Sequence, residues 1–83
     1  MYHIVIKKKA KKFIDKLSAE EKRRVVAEIE RLPRGGDIKP LRGYQGLLRL
    51  RVGKYRIIYT VDNGKLTVIV IDAENRGQVY KHL

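Results

Sequence analysis

From Leu47 to Ile71 the chain reads LLRLRVGKYRIIYTVDNGKLTVIVI, three runs of strand-forming residues joined by two short turn signals. This stretch constrains the fold most. Runs rich in Val, Ile, Leu, Tyr and Thr with glycine-bearing dipeptides between them read as consecutive antiparallel strands. The spacing predicts strands over about 47–52, 55–61 and 65–71, with a short one near 78–81. Gly53–Lys54 and Asn63–Gly64 are the expected two-residue turns.

Alternation of side chains then sorts the residues by face. If Gly53–Lys54 is the turn, Val52 faces Tyr55, Leu50 faces Ile57 and Leu48 faces Tyr59 on one side. Arg51 lies opposite Arg56 on the other side, and Arg49 lies opposite Ile58. A two-residue turn at Asn63–Gly64 adds Leu66, Val68 and Val70 to the core side. It adds Thr67, Ile69 and Ile71 to the arginine side, where Thr60 and Ile58 already lie. Like charges directly opposite one another destabilise a sheet. An ordinary solvated face accounts for Arg49 alone. The opposed Arg51 and Arg56 over an apolar floor suit a cleft for a phosphate, which arginine grips bidentately.

The N-terminal half supplies the second layer. YHIVI, residues 2–6, reads as a short strand. In KKKAKKFIDKL, Ala10, Phe13, Ile14 and Leu17 have helical spacing. Ser18 with Glu21 forms a capping-box signal for a second helix carrying Val25, Val26, Ile29 and Leu32, and Pro33, Gly35 and Gly36 end it. RGGDIKPLRGYQG follows as a basic loop. The expected architecture is α+β: one domain over 1–83, two layers, an N-terminal strand and a helical hairpin packed on a mainly antiparallel sheet.

Charge narrows the partners. The 83 residues hold 20 Lys plus Arg against 9 Asp plus Glu, a net charge of +11. So strong an excess attracts polyanions, nucleic acid first and an acidic protein equally. With no cysteine and only 2 histidines, far apart, no metal-ligand spacing arises and no cofactor is expected. No run approaches the ~18 apolar residues of a membrane span, and the first residues read as strand rather than as a signal peptide. A cytoplasmic protein is expected. The carboxylates show no acid–base pairing, and no phosphate-binding glycine loop is present.

The closing segment, DAENRGQVYKHL, brings Arg76, Tyr80 and His82 after an apolar strand. Tyr80 suits base stacking, proton transfer or an aromatic place in the core. In the expected register no glutamate falls on the arginine face, Glu74 being the nearest.

LRGYQGLLRLRVGKYRIIYTV followed by VIVIDAENRGQVY resembles the RelE/ParE superfamily of bacterial and archaeal toxins, over nearly the whole chain. The pattern LRLRVGKYRIIY resembles the RelE-like side. The resemblance implies a microbial-RNase-like fold and a toxin that cuts messenger RNA in the ribosomal A site. There the 2′-hydroxyl attacks the adjacent phosphate, and a cognate antitoxin blocks the activity. It implies Arg56, Arg76, Tyr80 and His82 as catalytic residues, and Arg49, Arg51 and Lys54 as contacts to phosphate and RNA. The best-studied branch carries two lysines before the hairpin turn, and Leu47 takes one of those places here. Two alternatives stand beside this one: a ParE-like inhibitor of DNA gyrase, and an inactive relative that acts only by binding a protein.

Overall fold

The structure, a computed structural model, describes residues 2–75. In chain order it runs β1 (His3–Ile6), α1 (Lys8–Asp15), α2 (Ala19–Glu30), β2 (Asp37–Pro40), β3 (Leu48–Val52), β4 (Tyr55–Asp62) and β5 (Thr67–Asn75). The strands form one five-stranded sheet in the order β1-β5-β4-β3-β2. β1 runs parallel to β5, and the other neighbours are antiparallel. The expected two-layer α+β architecture is the one observed. The short strand expected near 78–81 lies outside the described residues. Among the described residues, no helix is long and apolar enough to cross a membrane.

Both helices cover one face of the sheet. Ala10 and Ile14 of α1 and Val25 and Ile29 of α2 are buried against Leu50, Val52, Tyr55, Ile57, Tyr59, Val68, Val70 and Ala73. Each large aliphatic side chain so buried stabilises the fold by about 1.5–3 kcal/mol. The helix boundary is set by the capping box: Ser18 Oγ accepts the Glu21 N–H at 3.2 Å. Leu32, just past α2, still joins the core. Gly36 is placed where only glycine fits, with φ +78° and a would-be Cβ 2.7 Å from Leu50 Cδ1.

The first hairpin has the expected register, with Val52 opposite Tyr55, Arg51 opposite Arg56 and Arg49 opposite Ile58. Gly53 supplies the positive φ, +59°, that its turn needs.

Three other expectations are corrected. The segment expected to be loop between α2 and β3 contains β2, which pairs with β3 from Asp37 opposite Arg51 to Pro40 opposite Leu48. DIKP has one apolar residue and a proline, so it carries no strand pattern of its own. Its pairing comes from the edge offered by β3, and Pro40 is tolerated on an edge strand.

The second hairpin is not closed by Asn63–Gly64 alone. Asp62 pairs with Thr67, leaving residues 63–66 as the loop. Asp62 Oδ1 accepts the Lys65 N–H at 3.1 Å, and Asn63 Oδ1 accepts the Tyr2 hydroxyl at 2.8 Å. Side-chain bonds of this kind compete with the tighter turn. Leu66 therefore leaves the core and stands 50% exposed. β5 slides by two residues, which keeps the faces but changes the partners: Val61 meets Val68 and Tyr59 meets Val70.

Third, the register shifts again between Ile58 and Tyr59, through a bulge in β5. Beyond it Ile58 lies opposite Asp72, Ile57 opposite Ala73 and Arg56 opposite Glu74. One inserted residue re-aims everything that follows it along β5.

Candidate functional site

The face of the sheet away from the helices carries the arginines. Near the Gly53–Lys54 turn a row crosses four strands: Asp37 on β2, Arg51 on β3, Arg56 on β4 and Glu74 on β5. The order of charge is minus, plus, plus, minus. The like-charge contact evident in the hairpin is thus bracketed by carboxylates from strands on either side.

Arg56 is half-buried and held by Glu74. Glu74 Oε1 accepts from Arg56 Nε at 2.9 Å and from Nη2 at 2.5 Å. The two side chains are 26% and 28% exposed, so the pair is neither dry nor fully screened. Arg51 is exposed, and among the described residues no carboxylate lies within ion-pair distance of it. Arg49 is the deepest of the three, with a side chain only 11% exposed. Its Nη2 is 3.7 Å from Asp37 Oδ1, while its buried Nη1 has no hydrogen-bond partner among the described residues. Ile58, opposite Arg49, is also buried although it stands apart from the main core. The alternation about Gly53–Lys54 correctly places the three arginines and Ile58 on one face, but that face also carries Asp37 and Glu74, which the alternation did not predict.

Lys54 is not brought to this face. It sits at the hairpin turn with its ammonium 5.6 Å from the centre of the Tyr55 ring and 4.0 Å from Glu21 Oε2. Tyr55 donates its hydroxyl hydrogen to Glu21 Oε2 at 2.6 Å and meets Phe13 edge-on. This hydrogen bond shifts the two groups in opposite directions: it is the first cause holding the Glu21 carboxyl below its ordinary range and the Tyr55 phenol above its own. The cluster ties α2 to the turn on the helix side of the sheet. Arg76, Tyr80 and His82 lie outside the described residues.

Two residues of the charged row escaped the sequence. Asp37 was hidden because β2 has no pattern. Glu74 was hidden because a regular strand does not place it beside Arg56. Two acidic residues, Asp72 and Glu74, closing an apolar run were the available signal for an irregularity there.

Comparison with known proteins places this geometry. Residues 4–80 match the family described as the ParE toxin of the type II toxin–antitoxin system, parDE. The chain belongs to the RelE/ParE family of type II toxins. Among solved structures, the toxin is similar to a chain of the archaeal RelE–RelB complex from Pyrococcus horikoshii. That match has 28% identity and TM-score 0.77, covering 93% of this chain and 97% of the other. It is similar to a chain of the RelB–RelE antitoxin–toxin complex from Methanococcus jannaschii at 26% identity and TM-score 0.77, covering 95% and 98%. The isolated RelE toxin of E. coli matches at 25% identity and TM-score 0.71, covering 99% and 94%. No curated protein matches the chain significantly.

Proposed function

We propose that this toxin is a ribosome-dependent endoribonuclease that cuts messenger RNA in the A site. The observation that carries the proposal is the cross-strand pair of Arg51 and Arg56, with Arg49 opposite Ile58 two residues along on the same face of the sheet. The similarity to RelE chains supports it.

In this mechanism Arg51 and Arg56 bind the scissile phosphate. The bond from O2′ to phosphorus forms and the bond from phosphorus to O5′ breaks, leaving a cyclic phosphate and a 5′-hydroxyl. The arginines stabilise the additional charge of the transition state. Arg49 adds positive potential from two residues along the strand. Arginine stays protonated at any working pH, so it does not take the 2′ proton. That role falls to Tyr80 or His82, O5′ takes a proton from the other of the two or from water as it leaves, and Arg76 supplies a further cation. A tyrosine near pH 7 is a weak acceptor unless cations lower its pKa. The ribosome, in this account, orients the substrate, and the protein contributes charge and stacking in the cytoplasm. A cognate antitoxin is the partner that silences it, as RelB accompanies RelE in the complexes above.

The test is mapping of messenger RNA cleavage on programmed ribosomes. Wild-type protein is expected to cut within the A-site codon, and Arg56→Ala to cut about 10²–10³-fold more slowly. Unchanged cleavage by Arg56→Ala overturns the assignment. The family match to ParE favours a second proposal, inhibition of DNA gyrase. Loss of gyrase supercoiling activity with messenger RNA left intact selects it.

A further inference from the structure

The nuclease proposal leaves Glu74 without a task, yet the fold goes out of its way to place it. A regular β5 would not set Glu74 opposite Arg56; the bulge beside Ile58 does. Its carboxylate ends the charged row beside Arg56, and it is engaged through one oxygen with two donors of Arg56.

That geometry has two consequences. Nε and Nη2 form one edge of the planar guanidinium, and their capture by Glu74 Oε1 fixes the rotation of the whole group. The remaining donors, Nη1 and the second Nη2 hydrogen, are not used by Glu74 and stay available to a further ligand. Second, an anion docking on those donors sits within a few ångströms of a negative charge, which weakens its binding. We infer that Glu74 is a positioning residue for Arg56, which fixes the guanidinium for an incoming phosphodiester and at the same time holds down the affinity of the face for phosphate. The inference rests on the proposed action on RNA, in that it names a phosphodiester as the ligand.

The two roles separate by substitution. Glu74→Gln keeps an oxygen acceptor for Nε and Nη2 and removes the charge. Glu74→Ala removes both. Binding of a labelled single-stranded RNA oligonucleotide to the full chain is measured by fluorescence anisotropy. In parallel the Arg56 Nε–H signal is followed by nuclear magnetic resonance.

Glu74→Gln is expected to tighten RNA binding about three- to tenfold. In an Arg56→Ala background the same change is expected to alter binding by less than about twofold. The Arg56 Nε–H signal is expected to stay resolved in the wild type and in Glu74→Gln, and to collapse toward exchange with water in Glu74→Ala. Unchanged or weaker RNA binding by Glu74→Gln overturns the inference. So does an equal gain without Arg56, which is a generic effect of net charge.

Titration with inorganic phosphate distinguishes this from failure of the nuclease proposal. If no form binds RNA, but phosphate moves the Arg56 signal at lower concentration in Glu74→Gln than in wild type, Glu74 has the inferred role and RNA is the wrong ligand. If phosphate moves the signal in neither, the inference fails with it.

Discussion

Removing the charge of Arg51 separates what the arginine row does for stability from what it does for binding. Arg51 stands directly opposite Arg56, is exposed, and has no carboxylate within ion-pair distance among the described residues. Asp37, its neighbour on β2, has its carboxylate turned toward Arg49 instead. A cross-strand pair is worth about 0.2–1 kcal/mol, and like charges take the unfavourable sign. Solvent screening puts this pair in the lower half of that range. Arg51→Thr, which keeps a strand-forming residue, is therefore expected to stabilise the protein by about 0.2–0.5 kcal/mol at low salt. For a domain of this size that raises the melting temperature by about 1–4 °C. At ~1 M salt, where the Debye length falls to about 3 Å, the gain is expected to vanish. Arg56→Thr goes the other way, since it strips Glu74 of both its hydrogen bonds and costs about 1 kcal/mol. The assay is thermal unfolding by circular dichroism at low and high salt, with RNA binding measured on the same samples. Both variants are expected to bind RNA more weakly. A less stable Arg51→Thr at low salt, or a gain that ignores salt, would refute the reasoning.

Three further outcomes follow from the core and its ties. Ile57→Ala empties a fully buried position between Leu50 and Ala73 and should cost about 2–5 kcal/mol in urea unfolding. Gly36→Ala should destabilise by at least about 1 kcal/mol, because the new methyl meets Leu50 Cδ1 at a backbone of positive φ; a neutral result in the same assay would place that loop differently. Stability should also be bell-shaped in pH. Asp15, through its hydrogen bond to Lys22, and Glu21, through its bond from Tyr55, are held below their ordinary values of 3.8 and 4.5. Their contribution is present above those values and is lost as pH falls through the folded-state ones. The Tyr55 phenol, bonded to Glu21, is held above 10.0, so its contribution is present below 10.0 and is lost as pH rises through the folded-state value. Tyr55→Phe should shrink the alkaline fall in melting temperature and leave the Asp15 share of the acid fall intact.

Much of the fold was legible because it rests on local rules. The Ser18–Glu21 box marks where α2 begins. Two-fold alternation about Gly53–Lys54 places Leu50 and Ile57 inward and Arg49, Arg51 and Arg56 outward, in the register observed. Where long-range contacts compete with local ones, the pattern misleads. Asn63–Gly64 looks like a complete turn, but Asp62 and Asn63 bond elsewhere and widen the loop.

The sequence alone determined that a cationic face exists, because the alternation of side chains in a strand is a property of the backbone. Only the tertiary structure decided that the face is not purely cationic. Asp37 enters it because an edge of β3 recruits a segment with no strand pattern. Glu74 enters it because a single extra residue in β5 changes which strand positions meet. Pairing between strands is settled by the packing of the whole sheet, and no spacing within one strand records it.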